Sequence, residues 1–353
     1  MILTTLYDTG KQRKVKKPLC VLTMGDPSGV GPEIIIKTIL SERARDSAVI
    51  VVAGYSEPFA RDAALLNVDL EIREIKSPDE ITEEENTLQI IIPSKRVEIP
   101  LKYGILDSNC GLSAALSIEL SAELALAHIV DAVVTAPINK ESLNMAGYAF
   151  PGHTEFYQHL SGAEDIGMML TLGYFRVMHV TTHTAIRDVP DLVKKERIFR
   201  VATLMNDALK LLGIEHPKLA VSGLNPHAGE SGLFGREEIE EIAPAVEKLN
   251  AGGINASGPF PPDTVFARAF CGEFDGVVAM FHDQGHIALK LAGFKFGSDG
   301  CEIGGVNTTL GMPIIRTSVD HGTAFDIAGK GVASPQSMIE AVEMAAMLAK
   351  GKQ

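Results

Sequence analysis

Three histidines stand just beyond apolar runs that read as buried strands: His183 after "FRVMHVTT", His227 after "KLAVSGLNP" and His282 after "DGVVAMF". Three imidazoles delivered from three strand ends suit a borderline divalent ion such as zinc, with coordination positions left open for substrate. His282 opens the stretch "HDQGHIALK", in which Asp283 is adjacent, His286 lies four residues on and Lys290 four further. Either the two histidines clip one metal from a single helix, or only His282 is a ligand and its partners lie elsewhere. His179 precedes His183 by four residues inside a strand pattern. Residues four apart on a strand share a face but lie about 13 Å apart, too far to share one metal directly. His183 is therefore the candidate and His179 a structural residue. His128, His159 and His216 read as structural or surface residues.

Other residues could bind an anion. "GHTE" offers His153 and Thr154 before a helix, where Thr154 could equally be a cap. Asp263 in "PPDT" reads as a turn or cap residue. Lys290, Asn307 and Arg316 could supply a phosphate-binding set, since fixed cations and amides favour dianionic groups, or each could be a surface or turn residue. Asn139 and Lys140 follow "VVTAP", and Asp320 and His321 follow "PIIRTSV". The turn "GDPSGVGPEI", Gly25 to Ile34, is either an anion cradle at a helix start or a tight structural turn. It has neither the GxGxxG spacing of a dinucleotide fingerprint nor the GK[ST] of a Walker loop. GxSxG and HExxH are also missing, so serine-hydrolase and zincin chemistry have no support.

The elements that must position these residues alternate strand-like and helix-like, which predicts an α/β fold. "LCVLTM", "AVIVVAGY", "DAVVTAP", "FRVMHVTTH", "KLAVSGLNP", "DGVVAMF" and "MPIIRTSV" are the strand candidates. "SAALSIELSAELALAHI" and "KKERIFRVATLMNDALKLLG" are helix candidates. The region 73–100 is charged and then β-like. Polar residues gather just after five of the strands, and open α/β sheets bind ligands outside the carboxyl ends of their strands. A length of 353 residues predicts two lobes. The net charge of −13 argues against a nucleic-acid scaffold. The four cysteines have no CxxC pair, the usage of reduced thiols in a cytoplasmic enzyme. No apolar run is long enough to span a membrane. Residues 1–17 carry their basic cluster after a short apolar patch, the reverse of a signal peptide, and read as an extension.

"HGTAFDIAGKGVASPQSMIEAVEMA", from His321, resembles the cofactor-loop region of the isopropylmalate and isocitrate dehydrogenase superfamily. Together with "MGDPSGVGPEI", "TAPINKESLNMAGYAFPGHTEF", "HVTTHTAIRDV", "GLNPHAGESGLFGREE", "GPFPPDTVF", "AMFHDQGHIALK" and "GVNTTLGMPIIRTSVDHGTAFDIAG", it resembles the 4-hydroxythreonine-4-phosphate dehydrogenase family over residues 18 to about 348. The resemblance implies a two-lobed α/β/α fold with the active site in the interdomain cleft, completed across a homodimer. One lobe would hold residues 1–140 and 320–353, and the other residues 141–319 with the metal ligands and dimer interface. The resemblance makes His183, His227 and His282 the metal ligands, one given by the partner subunit. Zinc is the expected ion, with magnesium, manganese, cobalt and nickel as alternatives. Substrate contacts fall on His153, Thr154, Asp263, Asp283, Lys290, Asn307 and Arg316. NAD or NADP would lie near Asn307, Asp320, His321, Gly322, Thr323 and Asp326, which would explain the missing fingerprint.

The chemistry so implied is oxidation of a hydroxyl with hydride transfer to the nicotinamide, then decarboxylation of the resulting β-keto acid. Asp283 and Lys140 are the candidate proton acceptors. Two departures bear on the substrate. This chain reads "HDQGHI" where the pyridoxine-pathway enzymes read HDQGLP, and "GDPSGVGP" where they read GTPAGIGP. Both resemble the paralogous branch acting on threonate or erythronate 4-phosphate, or on cis-dihydrodiol dicarboxylates of the terephthalate route. The chain also inserts "KFGSDGCEIG", 295–304, either a pocket-shaping element or a surface loop. Retention of Lys290, Asn307 and Arg316 favours a phosphorylated substrate. Acyl- and phosphoacyl-transferases share the fold but need neither NAD nor metal.

Overall fold

The computed structural model describes residues 17–297, 300–303 and 305–352, so the expected extension, apart from Lys17, lies outside the described residues. Five strands come first: β1 (Leu19–Thr23), β2 (Val49–Ala53), β3 (Glu71–Ile75), β4 (Thr87–Ile91) and β5 (Ala132–Thr135). Next come β6 (Gly167–Leu172), β7 (Phe175–His179), β8 (Leu219–Ser222), β9 (Ala256–Phe260), β10 (Gly276–Ala279), β11 (Phe294–Gly297), β12 (Gly300–Ile303) and β13 (Val306–Leu310). The last is β14 (Ile315–Val319). The chain divides into two compact units, 1–164 with 312–351, and 165–311. Residues 141–164 and 312–319 thus belong to the first unit rather than the second. The reason is packing: Leu143, Phe156, Tyr157 and Ile314 bury against Ile118, Val133 and Val21 in one core.

The first unit is built on the all-parallel strand order β3–β4–β2–β1–β5–β14. Its inner strands are continuous Val/Ile/Leu runs because both faces are covered. The chain runs from β1 to one side and later adds β5 on the other, so the order reverses between their carboxyl ends. That is a topological switch point, where this class of sheet binds ligands. The long helix Ser108–Leu126 starts on Asp107, whose carboxylate accepts the Asn109 and Cys110 amides. It can lie against the helix Lys140–Met145 because Gly111 leaves no room for a Cβ beneath Ser142.

The second unit has the order β13–β6–β7–β10–β8–β9. β7, β10, β8 and β9 pair in parallel, while β6 runs antiparallel to both β7 and β13. The apolar side of the helix Lys195–Leu211 (Ile198, Val201, Ala202, Met205, Leu209) packs into the core with Val221 and Val278. The inserted segment pairs β11 with β12 as a separate antiparallel ribbon, Phe294 opposite Ile303 and Lys295 opposite Glu302. No helix among the described residues is long and apolar enough to cross a membrane.

Candidate active site

In the first unit the turn after β1 and the segment after β5 meet at the switch point. Asp26 donates its amide to the Pro137 carbonyl at 2.9 Å. Its carboxylate accepts the Ser28 amide at 2.8 Å. The Gly29 amide bonds to the Asp26 carbonyl and the Val30 amide to the Thr323 carbonyl, each at 3.0 Å. These amides are spent inside the protein, so the turn is a brace rather than an anion cradle. It braces the segment that the resemblance assigns to the cofactor. A Cβ on Gly29 would stand 2.8 Å from the Thr323 carbonyl oxygen, so a side chain there would displace that strand of contacts. The Asp26 carboxyl is pushed up to about 6, chiefly by burial, against the lowering effect of the Ser28 and Ser142 bonds.

Beyond the same switch point lies a cationic cluster. Arg316, on β14, is 2% exposed. It donates to the Thr135 hydroxyl at 2.7 Å and to the Thr154 hydroxyl at 3.2 Å. Burial lowers its guanidinium to about 10. Thr154 is therefore not a helix cap: Gly152 holds that position before the helix His153–Ser161. His153 is held well below the usual imidazole range by burial, with Arg316 and Lys140 beside it adding to the effect. Its Nε2 is shut off from solvent without a hydrogen-bond partner among the described residues. Buried polar atoms normally have partners, so this nitrogen, beside two cations, is where a polar group of a ligand could be received. Lys140 begins a helix capped by the Asn139 side chain, which accepts the Glu141 and Ser142 amides at 2.9 Å. Tyr157, absent from the sequence candidates, lies with its ring centroid 5.8 Å from the Arg316 guanidinium.

The Asp320 amide donates to the Ser337 hydroxyl at 3.2 Å. His321 donates from Nδ1 to the Gly322 carbonyl at 2.9 Å. Thr323 is half-buried, and Gly322 and Asp326 are exposed.

The second unit gathers histidines. The rings of His183 and His282 lie 5.8 Å apart, a separation from which two nitrogens can close on one ion at about 2.0–2.1 Å. His282 Nδ1 faces Asp283 Oδ1 at 2.7 Å. A carboxylate only accepts, so Nδ1 carries the proton and Nε2 presents the lone pair, the usual support of a metal-binding imidazole. The residues present therefore fit a divalent ion in two of its three expected ligands. The third, His227, lies near Phe234, ring centroids 6.5 Å apart. Among the described residues no three His, Cys, Asp or Glu side chains of this chain form an ion cage.

The clip reading of "HDQGH" fails on geometry. His282 and His286 stack face to face, centroids 3.7 Å apart and planes 14° off parallel, so their in-plane nitrogens do not converge. His286 instead donates from Nδ1 to the His282 carbonyl at 3.0 Å. Behind it lies His179, 4.8 Å from His286 and 6.1 Å from His282. Burial, with those two rings beside it, holds His179 down at about 3. The sequence offers His286 only as half of that clip and His179 only as a structural residue, because strand-end positions carry no mark of a helix folding back over β7. Gln284, also missed, ties the two strand ends together. Its carbonyl accepts the Met280 amide at 2.7 Å and its amide donates to the Gly223 carbonyl at 2.9 Å.

His227 sits on unusual backbone. His227, Ala228, Glu230 and Ser231 all have φ between 43° and 58°, and Gly229 has φ 80°. Left-handed conformation costs about 1–2 kcal/mol per non-glycine residue and is normally met one residue at a time. Such strain persists only where the surroundings over-determine it. Of the remaining candidates, Lys290 follows His286 by one turn on the helix His282–Gly293. Asn307, on β13, donates to the Met168 sulfur at 2.9 Å, and its carbonyl oxygen is buried without a partner among the described residues. Asp263 is exposed in the first turn of Pro262–Phe270, where Pro261 holds the cap position.

A parallel-sheet unit that gathers Arg316, His153 and Lys140, and a second unit that brings His183 and His282 together after its strands, make this an α/β protein of two units. Residues 46–345 match the family described as Pyridoxal phosphate biosynthetic protein PdxA. The chain is 44% identical over 332 residues to a D-threonate 4-phosphate dehydrogenase of Pectobacterium atrosepticum, covering 94% of this chain and 99% of that one. It is 42% identical over 337 residues to the D-threonate 4-phosphate dehydrogenase of Cupriavidus necator, covering 94% and 97%. A crystal structure of 4-hydroxythreonine-4-phosphate dehydrogenase from Klebsiella pneumoniae superposes with TM-score 0.85 at 42% identity, covering 96% and 100%. This chain belongs to the PdxA family.

Proposed function

We propose that this protein is a dehydrogenase of a four-carbon hydroxy acid phosphorylated at its 4 position, dependent on a nicotinamide cofactor and a divalent metal, with D-threonate 4-phosphate as the preferred substrate. The observation that carries the reading is the buried Arg316 guanidinium, bonded to the half-buried Thr154 hydroxyl, beside the unpartnered His153 nitrogen and Lys140. A guanidinium, a hydroxyl and an imidazole form a seat for a phosphate dianion. The names of the Pectobacterium and Cupriavidus relatives support threonate over threonine as the carbon skeleton.

Each residue then has a task. Arg316 and Thr154 hold the phosphate, and His153, kept neutral, offers one directional hydrogen bond rather than a further charge. Lys290, Asn307 and Asp263 are further substrate contacts. His183, His227 and His282 hold the metal, one of them from the partner subunit of a homodimer. Asp283 fixes the His282 tautomer, and Asp283 and Lys140 are the two candidates to take the hydroxyl proton. Asp320, His321, Gly322, Thr323 and Asp326 receive the nicotinamide cofactor, with Thr323 braced from behind by Val30 and Gly29. When bound, the metal supplies Lewis-acid polarisation and the nicotinamide accepts the hydride. The test is NADH formation from 4-phosphorylated threonate, erythronate and hydroxythreonine, with a dihydrodiol dicarboxylate as the fourth arm. Turnover of the dihydrodiol alone would remove the phosphate reading.

A further inference from the structure

The left-handed run that carries His227 is held by a buried carboxylate to which no role has yet been given. Glu238 is 3% exposed. Its Oε1 accepts the Leu224 amide at 2.8 Å and the Asn225 amide at 2.7 Å. Its Oε2 accepts the Asn225 side-chain amide at 3.0 Å. No lysine, arginine or histidine side chain pairs with it in an ion pair among the described residues. A buried carboxylate without a cation is stable only if donors satisfy it, and all three donors here come from the two residues leading into the left-handed run. The fit on the far side is equally close. A Cβ on Gly229 would stand 2.6 Å from Oε2, and one on Gly223 would stand 2.9 Å from the Ala228 Cα and 3.2 Å from Oε1. Glu238 itself opens a single π-helical turn, Glu238–Ile242, a local departure often found at functional sites.

We infer that Glu238 is a positioning residue: it anchors the backbone of Leu224 and Asn225, so that residues 227–231 keep their left-handed path and present the His227 imidazole for metal binding. The inference rests on His227 being a metal ligand, as proposed above. Glu238 touches neither substrate nor metal in this scheme. Remove its charge and the strained run has a cheaper path available, on which His227 points elsewhere.

The experiment titrates Co²⁺ alone into the metal-stripped full-length wild type, E238Q, H227A and the E238Q/H227A double variant. Affinity is read from calorimetry and from the cobalt absorption bands. Amide hydrogen exchange over 222–236 is followed in parallel, and E238D serves as a variant that keeps the charge but shortens the reach. Loss of such a supporting contact is expected to weaken metal affinity about tenfold in E238Q, with faster exchange at 224–231. H227A should weaken binding further, and the double variant should bind no worse than H227A. Wild-type affinity in E238Q alongside weakened H227A would overturn the inference while leaving the metal site intact. Wild-type affinity in H227A would overturn the metal-site reading and this inference with it. A further loss from E238Q in the H227A background would show that Glu238 acts on the fold at large, which also contradicts it. If E238Q does not fold, E238D decides: wild-type exchange and affinity with the carboxylate withdrawn would refute the anchoring role.

Discussion

Replacing Asp26 with asparagine tests the brace at the first unit's switch point. The carboxyl is 1% exposed and pushed up to about 6, mainly by burial, against roughly 3.9 in an unfolded chain. A raised folded-state value means that the protonated form suits the fold. Stability from this group is therefore full below about pH 4 and is lost as the pH rises through about 6. A shift of about two units corresponds to ~3 kcal/mol by pH 7.5. Asparagine keeps the oxygen that accepts the Ser28 amide and cannot ionise, so D26N is free of that loss. Thermal unfolding of both proteins at pH 4.5, 5.5, 6.5 and 7.5 reads the difference. Groups common to both, His153 and His179 included, cancel. D26N should gain on the wild type with rising pH, by about 6–12 °C in Tm at the top of the range. A difference that stays constant between pH 4.5 and 7.5 would refute the argument, because it would mean that Asp26 carries no shifted proton.

Three further outcomes follow from the geometry. R316K should raise KM for the phosphorylated acid about 10- to 100-fold, as expected for loss of charge-assisted hydrogen bonds from a buried guanidinium; an unchanged KM in steady-state kinetics would place the phosphate elsewhere. G29A should raise KM for the nicotinamide cofactor about tenfold with little change in KM for the acid, since its Cβ would meet Thr323 at 2.8–2.9 Å; equal effects on both would indicate general disruption. H286F keeps a ring against His282 but loses the bond to the His282 carbonyl, whereas H286A loses both. Metal affinity should fall more in H286A than in H286F, and equal losses would show that ring stacking does not orient His282.

Much of the fold was legible because parallel strands buried on both faces read as unbroken apolar runs. All seven strand candidates appear, from "LCVLTM" to "MPIIRTSV". β6 and β13 were missed because Thr171, Thr308 and Thr309 read as polar yet are buried, their backbone groups paired antiparallel across the sheet. The unit boundary was misplaced because nothing in the order of motifs shows that Phe156 and Tyr157 pack into the first core. At the site, His183 and His282 were readable as strand-end residues, and the structure brings them together. The stacking of His179 on His286 was not, because the helix that stacks His286 on His282 also carries it back over β7, a tertiary contact without sequence periodicity. Glu238 and Gln284 work through backbone groups of loops, and loop paths leave little trace in residue types. The glycine-rich turn could be narrowed to a brace only once the partners of its amides were known.

The most direct test is NADH formation by the metal-loaded protein with D-threonate 4-phosphate, compared with unphosphorylated D-threonate and with the metal-stripped protein. The account predicts turnover with the phosphorylated acid, loss of most of kcat/KM without the phosphate, and loss of turnover on stripping that added Zn²⁺ or Co²⁺ restores. Equal turnover of the phosphorylated and unphosphorylated acids, or full activity in the stripped protein, would contradict it.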